Sequence, residues 1–248
     1  MFIDSHCHIN SLSPFQIQEV TGAAGSAYAF VDSSIDLASS RKSLELSAQY
    51  PFVYSALGFH PFSVAQFDDA TVARYQQLIT ENKKIIAVGE IGLDAQADSP
   101  DKQERVLKEF INLAINNGLP VEIHNRTEGM RIFDILDEFY HSYETIVFHC
   151  FSYQVEALKK IADRGGFASF SLNILRKKSD LLSSLKSCPR DNLLLETDSP
   201  YMKINRMPSS PLNIKEVYEF AANIRGVSVG DLQNSVINNS RRVFKILE

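Results

Sequence analysis

Six side chains of metal-ligating type stand just past short apolar runs spread along the whole chain. They are His6 and His8 after FID, Glu90 after IIAVG, His124 after PVEI, His149 after TIVF and Asp198 after LLLET. Neutral imidazole suits zinc, manganese, cobalt or nickel better than a pure magnesium site. Alternate residues of an extended strand share a face, so Asp4, His6 and His8 point one way while Cys7 turns the other. Glu90 lies in VGEIGLD, where two glycines bracket a carboxylate and permit close backbone approach to an ion. Its two oxygens are able to bridge two cations. Asp198 ends an apolar strand before Ser199 and Pro200, and is read as a ligand that also accepts a proton from an attacking water. Such a set points to metal-dependent hydrolysis.

Counting back by two from the ligands places Asp4 under His6, Glu122 under His124 and Glu196 under Asp198, all facing inward. Buried carboxylates need partners: either the far nitrogen of a ligating histidine, which they would orient, or an interior lysine or arginine. His60, in GFHP, is expected to touch substrate or brace a loop. Arg126, two residues after His124, meets a phosphate or carboxylate, or else solvent. Asp94 reads as a turn or helix-capping residue, and His141, in a polar link, as a surface residue.

Placing all six ligands at one edge demands a repeating frame. Eight strand-like runs supply it: Met1 to Asp4, Ala27 to Asp32, Phe52 to Gly58, Ile85 to Glu90, Pro120 to His124, Thr145 to His149, Gly166 to Ser171 and Leu193 to Thr197. Helical spacing between them, as in Leu107, Phe110, Ile111 and Ala114, predicts an α/β fold: a TIM-like (β/α)8 barrel forming one domain over residues 1–248. In such barrels the C-terminal strand ends line the site. Asn213 to Glu248 reads as two helices, with Ser228 capping the second, and Ala95 to Asp101 and Lys203 to Pro211 read as loops facing substrate.

Composition narrows the function classes. A hydrophobic fraction of 44% over 248 residues supports a substantial core, and the chain has no 18-residue apolar run to span a membrane. Cys7, Cys150 and Cys188 lack the spacing of a disulfide framework or zinc finger. With a start that does not read as a cleavable leader, the expectation is a cytoplasmic protein. A formal net charge of −5 argues against a broad nucleic-acid footprint but leaves room for a small phosphate-facing site.

The motifs DSHCHIN at 4–10, LGFHP at 57–61, VGEIGLD at 88–94, VEIHNR at 121–126, FHCFS at 148–152 and LLETDSPY at 194–201 resemble, in order, those of the TatD family of metal-dependent hydrolases. The resemblance implies two divalent cations (Zn, Mn, Mg or similar) held by His6, His8, Glu90, His124, His149 and Asp198, with Glu90 as the bridge. It implies hydrolysis of DNA phosphodiester bonds, often exonucleolytic. The mechanism expected from the residues themselves is an activated water whose proton passes to Asp198, with Glu90 and Asp198 as catalytic residues. DNA or a small phosphate ester is then the partner, with neither a membrane nor an obligate protein partner. His60, Arg126 and Tyr153 are expected to contact phosphate or base. Asn10 stands where the family often has aspartate, and Tyr153 where it often has glycine; the spacing after Tyr201 also departs, leaving the role of Arg206 open. Two rival readings are a barrel hydrolase of a phosphomonoester, amide or lactone, and a noncatalytic metal-binding scaffold.

Overall fold

Apolar runs with few charges form eight strands: β1 (Phe2–Cys7), β2 (Tyr28–Ser33), β3 (Val53–Phe59), β4 (Ile85–Asp94), β5 (Val121–Arg126), β6 (Ile146–Phe148), β7 (Phe167–Phe170) and β8 (Leu193–Leu195). Each pairs in parallel with the next in sequence order, and the helices between them cover the outer face. The computed structural model describes residues 1–127, 130–204 and 206–246. Every residue of β2 and β4 is buried, as expected of parallel strands covered on both faces. The architecture is a nearly closed TIM-like barrel in a single domain.

The helices are α1 (Pro14–Ala24), α2 (Leu37–Gln49), α3 (Thr71–Glu81), α4 (Pro100–Asn117), α5 (Arg131–Phe139), α6 (Val155–Asp163), α7 (Ser179–Ser187), α8 (Ile214–Arg225) and α9 (Val229–Phe244). The last two fill the predicted two-helix tail, and Ser228 Oγ accepts from Asp231 N at 3.0 Å as the expected cap. Residues 247 and 248 of that tail, and 205 of the Lys203–Pro211 loop, lie outside the described residues. That loop is not wholly irregular: β9 (Lys203–Ile204) and β10 (Met207–Pro208) pair as an antiparallel ribbon.

Several strand ends differ from the sequence reading, because pairing with a neighbour decides where a strand stops. β1 continues beyond Asp4, with Cys7 opposite Asp32, and β4 continues beyond Glu90, with Asp94 opposite Arg126. β6 and β8 stop early, so His149 and Asp198 sit in the turns that follow them.

The seam between β1 and β8 closes through individual bonds. Asp198 N donates to His6 O at 3.0 Å and His8 N to Ser199 O at 2.8 Å. Asp4 accepts from Thr197 N at 2.8 Å and Thr197 Oγ1 at 2.6 Å. On the β8 side of β1, the fully buried Tyr218 hydroxyl accepts from Ile3 N at 3.3 Å and donates to Ile3 O at 3.1 Å. Among the described residues, no helix is long and apolar enough to cross a membrane.

Candidate metal centre

Glu90 reaches the mouth of the barrel because the backbones around it come unusually close. A Cβ on Gly58 would fall 2.2 Å from Glu90 N, and one on Gly92, at φ 156, would fall 1.7 Å from His124 O. No other residue fits either position. Asp198 has φ 52, a left-handed conformation that a non-glycine residue seldom adopts and that occurs disproportionately at functional sites.

The carboxylate of Glu90 divides its two oxygens between two sets of histidines. Oε2 faces His6 Nε2 at 3.5 Å and His8 Nε2 at 3.6 Å. Oε1 faces His124 Nδ1 at 2.6 Å and His149 Nε2 at 2.8 Å. Asp198 Oδ1 closes the first set, 3.5 Å from His8 Nε2. All six residues are buried.

The far nitrogen of each ring is turned toward an acceptor, which decides what the near nitrogen offers. His8 Nδ1 donates to the Ser33 carbonyl at 2.9 Å. Ser33 Oγ donates to Glu122 at 2.8 Å and therefore accepts from His6 Nδ1, at 3.1 Å. His124 Nε2 donates to Asp94 Oδ2 at 2.9 Å, and His149 Nδ1 stands 3.5 Å from Glu196 Oε1. Four ring lone pairs and two carboxylates then converge with no donor of their own. That donor set fits cations. Ligand atoms of His6, His8 and Glu90 lie within 4.8 Å of one another, as do those of His6, His149 and Asp198, so the clusters are capable of holding metal.

Electrostatics agree. Burial pushes Glu90 up, but His149, His60 and His124 outweigh it and hold the carboxylate well below its usual range. Burial likewise raises Asp198, and the neighbouring His8, His149 and His6 bring it below the ordinary value. Burial and the His6 ring depress His149, yet Glu90 and Glu196 raise it to about 9.

Among the three interior carboxylates, Glu122 and Glu196 stand behind histidines of other segments, His6 and His149, while Asp4 holds Thr197 instead. None pairs with a lysine or arginine among the described residues. Asp94 has the turn role and a second one besides. One oxygen does accept from Gln96 N at 2.8 Å, but the other fixes the His124 ring. The strand alternation Glu90, Gly92, Asp94 carried that signal. Gln103 locks Asp94 in turn, accepting from its N–H at 2.9 Å and donating to its carbonyl at 3.1 Å. Ser33, at the end of β2, had no sequence signature.

His60 also lies within ligand distance of Glu90 and His124, but its Nδ1 accepts from Phe62 N at 3.1 Å. In the neutral ring, favoured because burial lowers its pKa, the proton is on Nε2, 3.4 Å from Glu90 Oε1. His60 is therefore a donor toward the centre. Arg126 lines both the cavity of about 250 Å3 over the ligands and a neighbouring one of about 790 Å3. Tyr153 lines neither; its hydroxyl donates to the Asn125 carbonyl. Asn10 ties β1 to β2, its Nδ2 donating to Asp32 Oδ1 and Ser33 O, both at 2.8 Å. His141 and Arg206 are exposed, Arg206 at the ribbon turn.

A family model described as TatD related DNase matches residues 3–245. The chain is 31% identical over 248 residues to an uncharacterized metal-dependent hydrolase of Methanocaldococcus jannaschii, covering 98% of this chain and 97% of the relative. It is 29% identical to a protein of Erwinia tasmaniensis named 3'-5' ssDNA/RNA exonuclease TatD, covering 84% of each. The solved structure of YjjV, a TatD homologue from Escherichia coli, superposes with a TM-score of 0.90 at 28% identity, covering 99% of this chain and 98% of that one. With its histidines and carboxylates gathered at the barrel mouth, the chain belongs to the TatD family of metal-dependent hydrolases.

Proposed function

We propose that this chain hydrolyses phosphodiester bonds of single-stranded nucleic acid, DNA in the first instance, with two divalent cations held by His6, His8, Glu90, His124, His149 and Asp198. The observation that carries the reading is Glu90, whose two oxygens address separate histidine sets. Bound there, divalent cations supply Lewis-acid stabilisation of the phosphoryl group and make water more acidic. Asp198, kept ionised by the surrounding histidines, accepts the proton of the attacking water. His60 donates its Nε2–H to a phosphoryl oxygen, and Arg126, at the junction of the two cavities, holds the phosphate by its charge. The name of the Erwinia tasmaniensis relative supports nucleic acid as the substrate class and exonucleolytic action as the mode.

The test is metal analysis of the purified chain joined to a substrate panel in Mn2+. Single-stranded DNA and bis(4-nitrophenyl) phosphate should be cleaved, and 4-nitrophenyl phosphate and a model lactone should not. Asp198→Asn should lower diester cleavage by about 10²- to 10⁴-fold, the range for loss of a general base, while metal remains bound. Turnover confined to the lactone or the monoester overturns the reading, as does full activity of the variant.

A further inference from the structure

Phe62 and Tyr201 are 60% and 55% exposed, yet each packs on an imidazole of the candidate centre. The Phe62 ring lies within 8° of parallel to that of His60, their centroids 5.4 Å apart, and the Tyr201 ring meets His8 edge-on at 4.8 Å. Both residues line the cavity of about 250 Å3 over the ligands. A lone exposed aromatic is ordinary on a protein surface. Two that share one small cavity, above a floor of histidines and carboxylates, are a built feature.

Phe62 is held from two sides. It follows Pro61 in the short 3-10 turn Pro61–Gln66, and its N–H donates to His60 Nδ1 at 3.1 Å. One face of its ring rests on His60, which leaves the opposite face open. Ile35, half-buried, adds to the apolar wall that Phe62 and Tyr201 form around this polar floor. A phosphate held by cations, His60 and Arg126 has no use for such a wall, whereas a planar ring joined to that phosphate does. Every nucleobase has such a face, so stacking on an aromatic side chain is tolerant of base identity. On a chain of net charge −5, stacking also supplies affinity that does not depend on a basic surface.

Building on the phosphodiesterase reading above, we propose that the free face of Phe62 stacks on the base of the nucleotide whose phosphate reacts, with Tyr201 as the second aromatic wall of the slot. His60 and Arg126 then read the phosphate and Phe62 the ring attached to it. The chain thereby favours a nucleotide ester over a plain phosphodiester without choosing among bases. A side chain as exposed as Phe62 adds little to the core, so its removal is felt by the ligand and not by the fold.

Calorimetric binding of thymidine 5'-monophosphate and of 2-deoxyribose 5-phosphate to the chain in Mn2+ tests this apart from turnover. The parent should bind the nucleotide about fivefold tighter than the sugar phosphate, or more, the least that one stacked base contributes. Phe62→Ala should erase most of that preference, with sugar-phosphate binding within twofold of the parent and an unchanged melting temperature, while Phe62→Tyr should keep it. The chain has no tryptophan, so Phe62→Trp supplies a single fluorophore, whose emission thymidine 5'-monophosphate should quench and 2-deoxyribose 5-phosphate should not. Equal affinity of the parent for the two ligands, an equal loss on both in Phe62→Ala, or no quenching in Phe62→Trp overturns the proposal. Should the parent prefer the nucleotide through Phe62 yet cleave no phosphodiester in Mn2+, the base subsite stands and the hydrolytic reading falls. Cleavage of bis(4-nitrophenyl) phosphate by a parent without that preference keeps the hydrolytic reading and overturns the base subsite.

Discussion

Buried carboxylates in this barrel divide into those that histidines keep ionised and those that burial drives toward neutrality, and Asp32 belongs to the second kind. Burial raises it to about 6, and the bonds from Asn10 N at 3.0 Å and Nδ2 at 2.8 Å only partly offset that. Its unfolded value is about 3.9. Between those two values the folded chain holds a proton that the unfolded chain has released, so stability falls as pH rises through the window. The loss totals about 3 kcal/mol and persists above pH 6. Asp32→Asn should remove it: relative to the parent, the variant gains stability on going from pH 4 to pH 7, read by urea unfolding. Parallel pH profiles for the two proteins would refute this. Not all of the site was legible at this scale. The six histidines and acids that meet at the barrel mouth were marked by their places after apolar runs, and Asp94 by its alternation with Glu90 and Gly92, whereas Ser33 acts on the ring of another strand, a contact that no local spacing encodes.

Strand order and number followed directly from the alternation of apolar runs with helical stretches, since parallel strands require a crossover between each pair. Strand ends did not follow, because they depend on register: β4 runs on to Asp94 only because β5 offers Arg126 opposite it. The seam between first and last strand was equally hidden. There Tyr218 of α8 satisfies both backbone groups of Ile3. Tyr218→Phe leaves a buried N–H and C=O without partners and should destabilise the chain by about 1–3 kcal/mol. A lowered urea midpoint with an unchanged slope is the expected result. An unchanged midpoint would refute this and leave the seam to its other bonds, those of His6, His8 and Asp4 with the segment 197–199.

Over the whole molecule, the proposed ligands would couple folding to cation binding. A cation bound only by the folded form adds about 2.7 kcal/mol of stability at a hundred times its Kd. For a chain of 248 residues that corresponds to roughly 5–10 °C in melting temperature. Chelation should lower the transition by about this amount and Mn2+ should restore it; identical melting with and without Mn2+ would show that the folded chain holds none. The seam has a further consequence. His6 and His8 come from the first strand segment, and Asp198 from the turn after the last. No nascent polypeptide that stops short of residue 198 owns the full set of donors, so catalytic competence arrives only when ring closure does. The centre works as a clasp between the two ends of the barrel's circumference, and a half-made enzyme has no half-made activity.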